Sequence, residues 1–157
     1  MVRPKVIFVD VDGTLTDGKL YIGEYGEVMK AFSVKDGFIL ARLQSKHSIT
    51  PVVVSAKESA IVRNRCAELG IEHVYQGVED KLNFLKTFIH THEMLLKDTA
   101  YIGDDENDLD CINTCCLTGC PADAVASIKA SVLYVCKQRG GDGAVREFVE
   151  WILHWGR

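Results

Sequence analysis

The stretch Val6-Ile7-Phe8-Val9-Asp10-Val11-Asp12-Gly13-Thr14 constrains this chain more than any other. It begins as an uncharged run of β-branched and aromatic residues, the signature of a strand buried on both faces of a parallel sheet. It ends in two aspartates one residue apart, followed at once by Gly-Thr. A buried strand that delivers carboxylates to its carboxyl end places them where open α/β sheets bind ligands. Alternate strand residues point the same way, so Asp10 and Asp12 share a side-chain direction unless the chain has already begun to turn. Two anions held that close require a compensating cation or proton.

Beyond Thr14 the chain alternates between strand and helix patterns. Gly18 to Phe32 carries two short apolar-containing runs around a Gly- and Glu-rich centre, which signals a β-hairpin. Helices are expected over roughly 37–47, 57–69, 80–92, 106–115 and 143–155, and strands over 50–55, 71–76, 99–103 and 131–136. This order predicts an α/β fold: a doubly wound, Rossmann-like parallel sheet with a hairpin inserted after the first strand and no cap domain. At 157 residues the whole of 1–157 reads as one domain.

Composition narrows the partners. A net charge of −4 disfavours nucleic acid and membrane surfaces, and no apolar stretch approaches the roughly 20 residues of a membrane span. Met1 to Lys5 is basic but lacks a secretory pattern, which points to a cytoplasmic protein. Six cysteines fit that compartment. Cys111, Cys115, Cys116 and Cys120 cluster, but without a CxxC pair or a nearby histidine, so they read as small buried hydrophobes rather than a zinc site.

The strand ends carry a coherent set: Asp10 and Asp12, then Ser55, then Lys81, then Asp104, Asp105 and Asp108. In a parallel sheet these ends converge on one crevice. A hard divalent cation, Mg2+ by preference, would neutralise the carboxylates. Lys81 and the Ser55 hydroxyl would hold phosphate oxygens, and the Gly13 and Thr14 amides would add donors. Asp10 is then the nucleophile that forms an aspartyl phosphate, and Asp12 the acid/base that serves the leaving alcohol and the attacking water.

Asp10-Val-Asp-Gly-Thr14 resembles the first motif of the haloacid dehalogenase superfamily, DxDG[TV]. Ser55, Lys81 and Gly103-Asp104-Asp105-x-x-Asp108 stand as its second, third and fourth. The resemblance implies that Asp10, the backbone carbonyl of Asp12, and Asp104 hold magnesium, with Asp105 and Asp108 supporting the ion indirectly. Several segments are similar to the capless branch acting on 3-deoxy-D-manno-octulosonate (KDO) 8-phosphate and nonulosonate 9-phosphates. Among them are Phe32-Ser-Val-Lys-Asp-Gly37, Arg65-Cys-Ala-Glu-Leu-Gly-Ile71 and Arg139-Gly-Gly-Asp-Gly-Ala-Val-Arg146. That likeness implies a homotetramer assembled through the 18–32 hairpin, with a neighbouring subunit covering the site. It also implies substrate contacts from Ser33, Lys35, Asp36, Gly37, Lys57, Arg65, Arg139 and Arg146. Motif two departs from the usual Thr-Gly-Arg or Thr-Gly-Glu: here it is Ser55-Ala56-Lys57. Lys57 keeps a positive charge where KDO 8-phosphate members carry arginine, which favours KDO 8-phosphate over a nine-carbon acid 9-phosphate, although lysine lacks the bidentate fork. Two other classes share these features, a phospho-accepting receiver and a silent scaffold. A receiver needs an acceptor aspartate on a middle strand near Ser55, and none lies between Thr50 and Lys57; a scaffold could shed Asp10 or Asp12, and both are present.

Overall fold

The structure, a computed structural model, describes residues 3–155; Met1 and Val2, part of the expected basic N-terminus, lie outside them. Six strands form one parallel sheet: β1 (Val6–Asp10), β4 (Thr50–Val54), β5 (His73–Tyr75), β6 (Thr99–Ile102), β7 (Leu117–Cys120) and β8 (Tyr134–Val135), in the order β5-β4-β1-β6-β7-β8. Between β1 and β4 lie an antiparallel hairpin, β2 (Tyr21–Gly23) and β3 (Gly26–Met29), and helix α1 (Val34–His47). The remaining helices are α2 (Ala60–Glu68), α3 (Lys81–Thr91), the short α4 (Leu109–Ile112) and α5 (Ala126–Lys129), and α6 (Ala144–His154). Among the described residues no helix is long and apolar enough to cross a membrane.

Every residue of β1 is buried, and its alternation divides the core. Ile7 and Val9 pack with Leu40 and Leu43 of α1, Val62 and Cys66 of α2, and Val145, Phe148 and Val149 of α6. Val6 and Phe8 face the other way, onto Leu85, Phe88 and Ile89 of α3, Cys111 and Ile112 of α4, and Tyr101. Asp10 has the parity of Val6 and Phe8, so it emerges on the face covered by α3. Tyr101 has the same parity on the neighbouring β6. The strand pattern alone thus selects which helix supplies the partner of Asp10.

Several elements differ from those expected. The 106–115 helix is a tight turn over Glu106–Asp108 followed by the single-turn α4. Strand β7 falls in Leu117-Thr-Gly-Cys120, where the sequence pattern predicts none, because those residues carry no β-branched run and sit in the cysteine cluster. Cys120 and Cys111 are buried there, and burial pushes their thiols up to about 11 and about 12, the behaviour of neutral apolar side chains. The 131–136 strand shrinks to Tyr134–Val135.

Ser33, Lys35, Asp36 and Gly37 build the start of α1. Ser33 is its N-cap, accepting from the Lys35 amide at 3.2 Å. Asp36 is 1% exposed and pins α1 to α6 by accepting the Arg146 amide at 2.8 Å; its second oxygen is buried with no hydrogen-bond partner among the described residues. Burial raises its pKa from 3.8 to about 6, against the Arg146 and Gly143 amides, which lower it. The folded carboxyl therefore keeps its proton longer than the unfolded one. The stability it contributes is present below about pH 4 and is lost as pH rises through about 6. Across that window the wild type should lose up to about 3 kcal/mol relative to Asp36→Asn. Urea denaturation of both proteins near pH 4 and near pH 7 reads this difference directly. A gap that does not change with pH would mean that Asp36 does not titrate there.

Candidate active site

The site is assembled where β1 stops. After Asp10 the backbone enters one wide turn, Val11–Leu15, broken at Asp12 and at Gly13, whose φ of 91° lies in the left-handed region. A Cβ on Gly13 would also overlap the Asp104 carboxylate. The turn changes the direction of the second aspartate. Asp10 and Asp12 do not share one partner: Asp10 meets Lys81, and Asp12 meets Lys30.

Lys81, the first residue of α3, stands directly under Asp10. Its Nζ donates to Asp10 Oδ1 at 2.5 Å and to Asp108 Oδ1 at 2.8 Å, with all three side chains at most 7% exposed. The helix starts there because Asp80 caps it, accepting from the Asn83 amide at 2.8 Å. Asp108 is saturated. Oδ1 also accepts from the Tyr101 hydroxyl at 2.6 Å, and Oδ2 accepts from the Asp104 and Asp105 amides at 3.1 and 3.4 Å. Asp104 stays half-buried, with the Thr14 hydroxyl 3.5 Å away.

The electrostatics reflect this crowding. Burial, reinforced by Asp108, pushes the Asp10 pKa well above the usual carboxylate range, although Lys81 opposes it. Burial likewise raises Asp104 to about 6, opposed by its hydrogen bond with Asp10. Burial works against the charge of Lys81, but Asp10 and Asp108 outweigh it and leave a firm ammonium. One oxygen each from Asp10, Asp104 and Asp108 lies within 4.8 Å of the others. Three carboxylates answered by one ammonium form a donor set that fits a hard divalent cation. Because Asp108 is already saturated, Asp10 and Asp104 are the carboxylates able to hold one.

Around them is a cleft of about 290 Å³ lined by Asp10, Asp12, Leu20, Ser55, Lys57, Asp104, Asp105 and Asn107, among others. Ser55 directly follows β4, and its Oγ accepts from the Lys57 amide at 3.3 Å. Asp105 is exposed and its carboxylate accepts the Glu106 amide at 2.8 Å, so it caps the following turn. The Gly13 amide, expected as a phosphate donor, is taken by Thr16 Oγ1 at 3.2 Å. The turn from Arg139 to Gly143 rests on the Gly13–Asp17 loop: the Gly141 amide donates to the Thr14 carbonyl at 3.2 Å, and a Cβ on Gly140 would overlap the Gly13 carbonyl.

The expected residues thus divide. Asp10, Asp12, Gly13, Thr14, Ser55, Lys57, Lys81, Asp104, Asp105 and Asp108 converge at the strand ends. Ser33, Lys35, Asp36, Gly37 and Arg65 are not brought to this chain's own cleft. Arg65 pairs with Glu68 at 2.8 Å beside the first turn of α1. Arg146 pairs with Glu150 at 2.8 Å, and Arg139 reaches Asp123 at 3.5 Å. Sequence reasoning missed Tyr101 and, on the hairpin, Glu27 and Lys30. The Lys30 side chain is 3% exposed, donating to Asp12 Oδ1 at 2.5 Å and pairing with Glu27 Oε1 at 2.7 Å. Burial opposes its charge, but the Asp12 and Glu27 hydrogen bonds hold its pKa above the ordinary value. The available signal was a charge inside the apolar run Val28-Met-Lys-Ala-Phe32.

No family model matches the chain. It is 35% identical over 149 residues to 3-deoxy-D-manno-octulosonate 8-phosphate phosphatase KdsC of Escherichia coli (strain K12), spanning 95% of this chain and 79% of that protein. The cobalt-bound deoxy-D-mannose-octulosonate 8-phosphate phosphatase of Haemophilus influenzae superposes with a TM-score of 0.91 at 36% identity, over 97% of this chain and 88% of that one. The Moraxella catarrhalis 3-deoxy-D-manno-octulosonate 8-phosphate phosphatase, in complex with magnesium, phosphate and KDO, does so with a TM-score of 0.91 at 36% identity, over 97% and 87%. With the Asp10-x-Asp12 strand end, the buried Lys81 and the capless sheet in place, this chain belongs to the KDO 8-phosphate phosphatase family of the haloacid dehalogenase superfamily.

Proposed function

We propose that this chain is a magnesium-dependent phosphatase that hydrolyses KDO 8-phosphate through an aspartyl phosphate on Asp10. The observation that carries the reading is the buried Asp10–Lys81–Asp108 unit opening beside Asp104 into a cleft. The relative from Moraxella catarrhalis holds magnesium, phosphate and KDO.

Asp10, the Asp12 carbonyl and Asp104 would hold the metal. When bound, magnesium supplies the positive charge that lets an anionic phosphate approach anionic carboxylates. Asp10 attacks phosphorus in line with the departing sugar oxygen. Lys81 Nζ and the Ser55 hydroxyl hold non-bridging oxygens as charge moves onto them. Asp12 gives a proton to the leaving alcohol and then takes one from the water that releases phosphate. Lys57, exposed on the cleft rim, would pair with the carboxylate of the sugar acid. Free, largely buried thiols suit a cytoplasmic enzyme.

The site lacks a cap, and the hairpin carries Leu20, Ile22, Tyr25, Val28 and Met29 at 56–96% exposure. Such an apolar face supports assembly through the hairpin into a homotetramer, whose neighbours would cover each cleft with residues such as Arg139 and Arg146. Light scattering should give the mass of four chains; a mass of one would remove the covered site.

A substrate panel tests the activity. KDO 8-phosphate should turn over faster than nine-carbon keto-acid 9-phosphates. EDTA should abolish phosphate release and added magnesium restore it. Preference for the nine-carbon acids would overturn the role of Lys57, and indifference to chelation would overturn the metal role.

A further inference from the structure

Each of the two catalytic carboxylates has its own lysine. Lys81 serves Asp10 from the core, and Lys30 serves Asp12 from the hairpin. We propose that Lys30 is a positioning residue that aims the Asp12 carboxyl at the leaving-group oxygen, and that Glu27 and Ser59 hold Lys30 in place. This rests on the phosphatase reading above and on Asp12 as its acid/base.

Lys30 comes directly after β3, a strand whose own four residues are all exposed, yet its side chain is 3% exposed. The buried ammonium bonds Asp12 Oδ1 at 2.5 Å on one side and Glu27 Oε1 at 2.7 Å on the other. Only one Asp12 oxygen is engaged. Among the described residues no side chain donates to Oδ2, which leaves that atom for proton transfer. The line continues into the motif-two segment. Ser59 Oγ donates to Glu27 Oε2 at 2.6 Å. Ser59 is the N-cap residue of α2, but its side chain makes no cap hydrogen bond; the hydroxyl that ordinarily closes a helix start is given to the hairpin instead. Gln76 fixes the Ser59 backbone from both sides, accepting its amide at 2.8 Å and donating to its carbonyl at 3.2 Å. Ser59, Glu27, Lys30 and Asp12 therefore form one continuous connection from the sheet end to the acid/base, routed through the hairpin that carries the exposed apolar face.

A carboxyl held by a fixed ammonium keeps one orientation while the other oxygen exchanges a proton, and a misplacement of about 1 Å in such a group costs on the order of 10²-fold. The loss must depend on the leaving group. An alkyl phosphate needs its departing oxygen protonated, whereas p-nitrophenolate leaves without a proton. Water attack on the phosphoenzyme needs the base in both cases. Lys30→Met should therefore lower kcat on KDO 8-phosphate about 10²-fold with KM within about threefold. With p-nitrophenyl phosphate it should show a burst of about one p-nitrophenol per site followed by slow turnover. Lys30→Arg should recover most of the rate. Ser59→Ala and Glu27→Gln should lose about three- to tenfold in kcat with the same burst. Asp12→Asn is the control: if it gives no burst, the acid/base reading itself fails. If Asp12→Asn bursts but Lys30→Met loses both substrates equally without one, changes only KM, or keeps the wild-type rate, Lys30 is a structural brace and the proposal is overturned. Should Lys30→Met lose the wild-type assembly, Ser59→Ala decides on the same readout.

Discussion

Replacing Asp10 with Asn should cut phosphate release by at least about 10⁴-fold while leaving the chain folded. The amide matches the carboxylate in size and keeps an oxygen near Lys81 Nζ, now 2.5 Å from Asp10 Oδ1, so the buried geometry has no reason to collapse. In the proposed mechanism, what disappears is the nucleophile and one donor to the metal. The metal-free variant also loses a repulsion. Burial and Asp108 already push Asp10 toward its neutral form, so removing its charge should leave the melting temperature equal to or above that of the metal-free wild type. Magnesium separates the two proteins further. It should raise the melting temperature of the wild type by binding the folded state and should do so much less for Asp10→Asn. Phosphate release at the wild-type rate would move the nucleophile elsewhere. An unchanged magnesium shift would remove Asp10 from the metal site.

The architecture is legible in the sequence wherever periodicity is strong, because period and burial are local signals. Val6–Val9 identifies the central strand, Leu82, Leu85 and Ile89 identify α3, and Val145, Phe148, Val149 and Ile152 identify α6. Leu117–Cys120 escapes because its burial comes from the neighbours it packs with: the missing side chain of Gly119 makes room for the Phe148 ring. The site divides the same way. Asp10, Ser55 and Asp104 sit at or just past strand ends, Lys81 opens the helix that follows β5, and topology brings these ends together. The Ser33-to-Gly37 segment looks equally suggestive in sequence, but its chemistry goes into capping α1 and fastening it to α6. Lys30 is the reverse case. Glu27 on its own hairpin partners one side of the buried ammonium; the other side is Asp12, eighteen residues earlier, beyond a turn whose direction depends on Gly13. Long-range pairs between charged side chains leave no periodic trace.

Lys81→Met should be the most damaging single change to stability in the site, and the reason is what it leaves behind. Lys81 lies between Asp10 and Asp108 in a space that water scarcely reaches, with side-chain exposures of 1%, 7% and 0%. Methionine keeps most of the stem volume and removes the one cation bonded to both carboxylates. Breaking a buried ion pair by deleting one partner costs about 3–5 kcal/mol, because the other charge stays buried and uncompensated. For a chain of this size that is a fall of roughly 6–20 °C in melting temperature. Asp108 will not simply swing out to water, since the Tyr101 hydroxyl at 2.6 Å and the Asp104 amide at 3.1 Å still hold it. Asp108→Asn in the same background should therefore recover much of the lost stability, as the orphaned charge is removed, giving a coupling energy of about 1–3 kcal/mol in a double-mutant cycle. On the proposed role of Lys81 Nζ as a phosphate ligand, it should recover no activity. The two readouts separate the roles of one atom: stability tracks whether Asp108 has a counter-charge, and turnover tracks whether Nζ is present. If Lys81→Met loses less than about 1 kcal/mol, the Asp10–Lys81–Asp108 ion pairs are not what holds this site together.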